Sequence, residues 1–130
     1  MKLTSRGRYA LQSLLDMITH SEGKAVRLQD ISDRQDISLF YMEQLFRQLR
    51  NFGVVKSVRG PGGGYVLAKD PKDIRVLDVL QGVNELTNYS NKIELSDKST
   101  QELKKLSSYL TELDAFVEEG LELSLEELAR

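Results

Sequence analysis

A glycine-rich turn between two short apolar segments constrains the fold of this chain more than any other stretch. The segment 54–69 reads VVKSVRGPGGGYVLAK, with apolar runs at 54–58 and 65–68. Four glycines and a proline separate the runs, and Arg59 stands at the base of the turn. Alternating apolar segments around a Gly-rich turn are typical of a β-hairpin. The sequence therefore predicts a hairpin whose tip carries almost no side chains.

Three helices are predicted before the hairpin. The first spans about 5–19, because its apolar residues recur at i, i+3, i+4 and i+7. The second spans about 28–35 and ends at a tight turn, Asp36-Ile37-Ser38. Ser38 is a good N-cap for a third helix that ends near Asn51, and Gly53 suits its left-handed C-terminus. The expected core-facing residues are Leu11, Leu14, Leu15 and Ile18 of the first helix, Leu28 and Ile31 of the second, and Met42, Leu45, Phe46 and Leu49 of the third.

The chain after the hairpin divides into a short helix, a polar stretch and a long helix. Asp70-Pro71 breaks the chain, and an apolar pattern predicts a helix over about 74–83. A last helix over about 100–119 carries apolar residues at the a/d spacing of a coiled-coil seam. These seam residues are Leu103, Leu106, Leu110, Leu113 and Val117. We therefore expect a domain over 1–83, a polar loop over 84–99, and a dimerisation helix with a tail over 100–130, where 124–127 reads as a capping box.

Composition excludes several classes of function. The 130-residue chain has no cysteine and one histidine, His20. Disulfides, thiolate-held clusters and a structural zinc site are therefore not expected, and no catalytic triad can be assembled. We expect no cofactor, no bound metal and no enzymatic activity. No apolar run approaches a membrane span, and the N-terminus does not resemble a signal peptide, so we expect a cytoplasmic protein without membrane contact.

Charge is distributed unevenly along the chain. Residues 1–75 hold 13 Lys and Arg against 8 Asp and Glu, a balance of +5, whereas residues 76–130 hold 5 against 12, a balance of −7. A basic half and an acidic half indicate that only the first meets a polyanion. Chance placement of charges on solvated surfaces would give the same totals. The positions of the charges must therefore decide whether the basic half binds a polyanion.

Helix, turn, helix and hairpin in this order predict a winged helix-turn-helix, a mostly α fold with a small β-hairpin, here followed by the long C-terminal helix. Such folds read DNA bases through the N-terminal part of the third helix. Long hydrogen-bonding side chains on its outward face suit base edges in a major groove, although a solvated helix face would look similar. The candidate base-reading residues are Ser38, Tyr41, Glu43, Gln44 and Arg47.

The hairpin, residues 54–69, is called the wing from here on. Its glycines let the backbone approach a phosphate or a narrow minor groove, which Arg59 can enter. The wing candidates are Arg59, Gly60, Pro61 and Gly62, and further phosphate contacts are expected from Arg6, Arg8 and Lys56. A nucleotide-binding loop is the rival interpretation. It fails because no Lys-Ser/Thr pair follows and Tyr65 stands where the last glycine of a G-x-G-x-x-G motif belongs.

The segments LTSRGRYAL and DISDRQDISLFYMEQLFRQLRNFGVVKSVRGPGGGYVLAKD closely resemble the bacterial regulator family of the iron–sulfur assembly regulator IscR. The family also includes a nitric-oxide sensor and a cysteine-metabolism repressor. The resemblance covers about residues 2–85 and is most specific over 37–67. It implies a dimeric winged-helix transcription factor. It also implies DNA contacts from Ser38, Tyr41, Glu43 and Gln44 of the third helix and from residues 59–62 of the wing.

This sequence departs from the cluster-sensing members of that family. Those members carry three cysteines and a further ligand between the short helix and the long one, where this chain reads NELTNYSNKIELSDKSTQEL. Hydroxyl and carboxylate oxygens do not hold an iron–sulfur cluster. The resemblance is therefore to cluster-free members, and cluster-based or nitric-oxide sensing is not expected.

These observations predict a homodimeric, sequence-specific transcription regulator, a repressor, that binds a pseudo-palindromic site in double-stranded DNA. Control is expected from a small-molecule effector at the dimer junction, from a partner enzyme or from protein abundance, with residues 84–100 as the place where it acts. The alternative is a protein-interaction module that uses the winged helix and the acidic coiled-coil helix without DNA.

Overall fold

The computed structural model describes residues 3–85 and 94–130. The middle of the expected polar loop, 86–93, lies outside the described residues. These described residues form six helices and one hairpin in the order α1 (Ser5–His20), α2 (Leu28–Gln35), α3 (Leu39–Phe52), β1 (Val55–Val58), β2 (Gly64–Leu67), α4 (Val76–Gly82), α5 (Gln101–Gly120) and α6 (Leu125–Ala129), with a 3-10 turn at Pro71–Asp73 before α4. The predicted winged-helix architecture is confirmed, with helix boundaries within two residues of those expected.

Local signals fix the ends of α3. The Ser38 hydroxyl accepts a hydrogen bond from the Tyr41 amide at 3.1 Å, as expected of an N-cap. Gly53 closes the helix with φ of 94°, a left-handed conformation that glycine adopts without steric cost. The inner face of the helix is fully buried through Met42, Leu45, Phe46 and Leu49, as predicted. Because both ends and the inner face are fixed, the direction of the outer face is fixed as well.

The buried face of α1 differs from the predicted stripe. Leu14 is buried as expected, but Leu11, Leu15 and Ile18 are only half-buried. The core residues of this helix are instead Ala10, Ser13, Leu14, Asp16 and Met17, together with Gly7 near its start. Periodicity missed this face because two of its members are polar. The Ser13 hydroxyl donates to the Tyr9 carbonyl at 2.6 Å, and Asp16 is held by α2.

The wing is an antiparallel pair that also contacts the chain ahead of α2. Lys56 pairs with Val66 and Ser57 with Tyr65. The Tyr65 backbone exchanges hydrogen bonds of 2.8 and 2.9 Å with Val26. A Cβ at Gly64 would lie 2.4 Å from the Val26 carbonyl oxygen, so only glycine fits there. The Tyr65 ring packs edge-on against Phe46 of α3, with 5.1 Å between ring centroids. The base of the wing is thus attached to the core.

The C-terminal tail returns to the domain that begins the chain. The first backbone N–H groups of α4 lack partners within their own helix. Those of Val76 and Leu77 donate to the carbonyls of Leu123 and Leu121, at 2.8 and 3.0 Å. Leu125 of α6 is fully buried in the core. The sequence predicted the short turn at 124–127 but not this docking.

Among residues 3–85 and 94–130, no helix is both long and apolar enough to cross a membrane.

Candidate nucleic-acid interface

An open cleft runs between the start of α1 and the outer face of α3. Its volume is about 680 Å³. Three of the predicted base-reading residues, Tyr41, Gln44 and Arg47, line it together with Arg6. Gln48, Thr4, Ser5 and Leu45 complete the lining. The structure therefore brings residues from two distant segments of the sequence to one surface, and most of them carry hydrogen-bonding groups.

The other two base-reading candidates, Ser38 and Glu43, lie outside the lining of this cleft. Ser38, Glu43, Gln44 and Arg47 are exposed, and Tyr41 is half-buried. Tyr41 packs edge-on against Tyr9 of α1, with 5.8 Å between the ring centroids. Tyr9 was not predicted as part of the site. It orients Tyr41 and also lies beneath Arg8, whose guanidinium carbon is 5.1 Å from the ring centroid. A cation over an aromatic face is held in place while remaining open to water.

The wing candidates are all exposed: Lys56 on β1, and Arg59, Gly60, Pro61 and Gly62 at the turn. Gly60 and Gly62 have φ of 89° and 74°, which other residues rarely adopt. A Cβ at Gly63 would lie 2.4 Å from the Val58 carbonyl oxygen. The glycines therefore serve the turn itself as well as keeping its surface bare. Within the turn at 59–63, Arg59 is the charged side chain.

Arg6 is held by its own chain. One terminal nitrogen donates to the Asn84 carbonyl at 3.0 Å, and Nε lies 3.9 Å from the Glu85 carboxylate. The Arg6 side chain is still 42% exposed, whereas that of Glu85 is 3% exposed. Arg6 can therefore reach a phosphate only through the N–H groups that these contacts leave free. Its role as a phosphate contact stays a prediction.

Glu85 caps the start of α1, a role that the sequence did not reveal. Its two carboxylate oxygens accept hydrogen bonds from the backbone N–H and the hydroxyl of Thr4. The helix dipole favours a negative charge at this end. A Cβ at Gly7 would lie 2.7 Å from the Glu85 Cγ, so the glycine makes room for the carboxylate. A glycine within an otherwise good helical pattern was the one local signal for this contact.

A second buried network lies on the side of α1 that faces α2. The Asp16 side chain is fully buried, and Arg34 donates to both of its oxygens, at 2.7 and 3.0 Å. Gln35 donates to Asp16 at 2.7 Å and accepts from Gln12 at 2.8 Å. Burial raises the pKa of Asp16, but the hydrogen bonds from Arg34 and Gln35 outweigh it and leave that pKa below its ordinary value. The network sets the position of α2, the helix that precedes α3.

No group of three or more His, Cys, Asp or Glu side chains that could hold a metal ion occurs in the described ranges 3–85 and 94–130.

The long helix α5 contributes no buried residue to the fold. Of the predicted seam, Leu103, Leu110, Leu113 and Val117 are half-buried and Leu106 is 48% exposed. Two aromatic residues that the seam pattern omitted are more exposed, Tyr109 at 60% and Phe116 at 73%. At 100° per residue these two lie beside Leu106 and Leu113, so the apolar arc is broader than an a/d stripe.

Comparisons with known proteins agree with this architecture. The family model described as "Rrf2: Iron-dependent Transcriptional regulator" matches residues 3–130. The HTH-type transcriptional regulators IscR of Photorhabdus laumondii and of Escherichia coli K12 are each 56% identical over 85 residues, which is 65% of this chain and 52% of theirs. The chain therefore spans about half the length of the curated relatives it matches.

Two solved structures are similar over almost the whole chain. CymR, the global cysteine regulator of B. subtilis, has a TM-score of 0.77 at 29% identity and covers 99% of this chain and 96% of its own. IscR of T. potens has a TM-score of 0.74 at 33% identity, covering 98% and 85%. Both likenesses include the long C-terminal helix as well as the winged helix.

Proposed function

Because this chain belongs to the Rrf2 family of transcriptional regulators, we propose that it binds a specific double-stranded DNA site as a homodimer. In this proposal it represses transcription by occupying promoter DNA and holds no iron–sulfur cluster. The observation that carries the proposal is the cleft beside α3, where Arg6, Gln44 and Arg47 meet on one open surface. Cations position such a surface on phosphates, and amide or guanidinium groups read the bases.

The roles of individual residues follow from their chemistry. Gln44 reads adenine, Arg47 reads guanine or contacts phosphate, and Glu43 accepts from cytosine N4. Ser38 and Tyr41 stand at the start of α3, where a recognition helix enters the major groove. Arg59 enters the minor groove while Gly60, Pro61 and Gly62 let the wing backbone approach the strand. Arg6, Arg8 and Lys56 supply phosphate contacts and hence salt-dependent affinity.

Removing one reading side chain from each element tests these roles. We expect Gln44→Ala and Arg59→Ala each to weaken binding by about 1–3 kcal/mol, because each loses a base or groove contact. The measurement is a fluorescence-anisotropy titration at fixed salt on a site selected from genomic fragments that the protein retains. Gln101→Ala and Arg130→Ala are matched controls, since both side chains are exposed on the C-terminal half. Unchanged affinity for both test variants would contradict the assignment.

The salt dependence of binding separates DNA recognition from the protein-interaction alternative. Affinity for DNA should fall by roughly one decade per decade of salt for each phosphate neutralised. An interaction module without DNA binding would retain no preferred fragment in the selection.

The proposal of a cluster-free regulator depends on donor chemistry. The sequence contains no cysteine, and thiolates are the ligands that iron–sulfur clusters require. Control therefore comes from a small ligand, a partner protein or protein abundance, and we propose residues 84–100 as the place where it acts. An absorbance spectrum of anaerobically purified protein tests the cluster-free state, because a cluster would add visible bands that this chain should lack.

Homodimerisation is proposed through α5. Leu106, Tyr109 and Phe116 expose their side chains on one arc of a helix that has no buried residue. An apolar arc of this length rarely faces water in a stable monomer. A second copy of α5 covers it with the same residues, as a two-fold interface requires. The proposed interface contains the predicted seam residues Leu103, Leu106, Leu110, Leu113 and Val117. Tyr109 and Phe116 extend the contact surface beside this seam.

A pair of charge substitutions tests the interface. We expect Tyr109→Glu with Phe116→Glu to raise the dimer dissociation constant on the order of 100-fold, because two aromatic side chains are lost from each protomer's contact area. Ser108→Glu with Ala115→Glu is the matched control, since both residues are exposed elsewhere on the same helix. Sedimentation velocity over a range of concentrations measures both variants. Equal dimerisation of the two would contradict the proposed interface.

A further inference from the structure

Phe40 is an unusual residue for the surface it occupies. It is the second residue of α3, and 70% of its surface is exposed. The core-facing residues of the same helix are all at most 1% exposed. With most of its surface in water, Phe40 gains little of the hydrophobic stabilisation that burial gives a phenylalanine. Most of the ring is therefore free to contact a molecule outside the chain.

The neighbours of Phe40 indicate what that contact is. Residues three, four and seven positions further along a helix share its face, and here they are Glu43, Gln44 and Arg47, all exposed. Ser38 caps the helix two residues before Phe40 and fixes the backbone from which the ring projects. Phe40 thus begins the row of side chains to which base reading has been assigned.

A major groove offers few apolar groups to such a ring. Its base edges present hydrogen-bond donors and acceptors, and the C5-methyl of thymine is the apolar exception. Side chains at i and i+4 are about 5–6 Å apart, and bases along one strand are about 3.4 Å apart. Phe40 and Gln44 therefore address bases within two steps of each other. An adenine read by Gln44 also places a thymine in the same base pair.

We propose that Phe40 is a specificity-determining residue that packs against a thymine C5-methyl within two base pairs of the base read by Gln44. This inference rests on the proposed function, because it needs α3 to lie in a major groove. It adds a requirement that hydrogen-bonding residues cannot impose, namely a methyl group at a defined position of each half-site.

Deoxyuridine tests the inference, because it differs from thymidine only by the C5-methyl group. Each thymine of the selected site is replaced in turn by deoxyuridine, and binding is measured for the wild type and for Phe40→Ala. At one position per half-site, the wild type should lose about fourfold in affinity, the value of one buried methyl-sized group. Phe40→Ala should bind the thymine and deoxyuridine versions of that site equally.

Phe52→Ala is the matched control. Phe52 is the last residue of α3 and is 50% exposed. This variant should keep the wild-type sensitivity to deoxyuridine, and the thermal midpoint of Phe40→Ala should match that of the wild type. The inference is overturned if no thymine is sensitive, or if Phe40→Ala keeps the same sensitivity. Failure of the proposed function looks different, because then either the selection yields no site, or Gln44→Ala and Arg59→Ala bind the selected site as tightly as the wild type does.

Discussion

Replacing Leu125 by alanine is expected to lower the free energy of unfolding by about 3 kcal/mol, the middle of the range for a buried leucine that leaves a cavity. Leu125 is fully buried although it lies five residues before Arg130. It packs in the same cluster as Ala10 and Leu14 of α1. Its amide donates to the Ile74 carbonyl at 2.8 Å, so the surrounding backbone cannot move freely to fill the space.

Urea unfolding at a fixed protein concentration measures this effect, since dimerisation would otherwise change the apparent stability. Leu128→Ala on the same helix is the matched control, because Leu128 is 37% exposed. Leu128→Ala should lower the free energy of unfolding by well below about 1 kcal/mol, as for surface substitutions generally. A loss for Leu125→Ala as small as that for Leu128→Ala would mean that the tail is not docked in solution.

Replacing Arg34 by methionine is expected to cost about 2–3 kcal/mol at neutral pH. Losing one partner of a buried ion pair usually costs about 3–5 kcal/mol, because a charge is left without compensation. The Asp16 side chain is fully buried, but that of Arg34 is 34% exposed. Solvent screening of Arg34 therefore lowers the expected figure. Gln35 still donates to Asp16 in the variant, which limits the loss further.

The pH dependence of that loss has a defined sign. In the wild type, burial alone would raise the pKa of Asp16. The hydrogen bonds from Arg34 and Gln35 lower it by more than burial raises it, so the pKa lies below its ordinary value of 3.8. The contribution of Asp16 is thus complete above that value and is lost as pH falls through the lowered pKa. Without Arg34, burial should raise the pKa of Asp16, so acidification favours the folded variant.

We therefore expect the stability difference between wild type and Arg34→Met to be largest near neutral pH and to shrink towards pH 4. Urea titrations at several pH values measure it. Arg27→Met is the matched control, because the Arg27 side chain is 70% exposed and its ion pair with Asp30 lies in solvent. That variant should change stability by less than about 1 kcal/mol at any pH. A pH-independent difference for Arg34→Met would argue against a charged, buried Asp16.

The parts of the fold that could be predicted are those encoded locally. The Ser38 cap, the left-handed Gly53 and the glycines of the wing each depend on residues within a few positions, and each is confirmed by the backbone geometry. The inner face of α3 was predictable because all four of its buried residues are apolar. Such signals survive in a single sequence because neighbours along the chain satisfy them.

The remaining features depend on partners far apart in sequence. Glu85 reaches Thr4 across 81 residues, and Arg34 reaches Asp16 across 18. Polar residues in such positions look like ordinary surface residues until the fold places them together. The arc on α5 was predicted only in part for another reason: an a/d pattern selects two positions in seven and passes over Tyr109 and Phe116 beside them.

The docking of the C-terminal tail affects the distance between the two DNA half-sites that a two-fold dimer would bind. The chain leaves α5 at Gly120, and within five residues it is bonded to α4 and buried in the core at Leu125. This five-residue connection, 121–125, attaches the C-terminal end of α5 to residues 74–77 through backbone hydrogen bonds at Leu121, Leu123 and Leu125. In a dimer joined through α5, a change in the length of this connection should therefore alter the separation of the two operator halves that the protein binds.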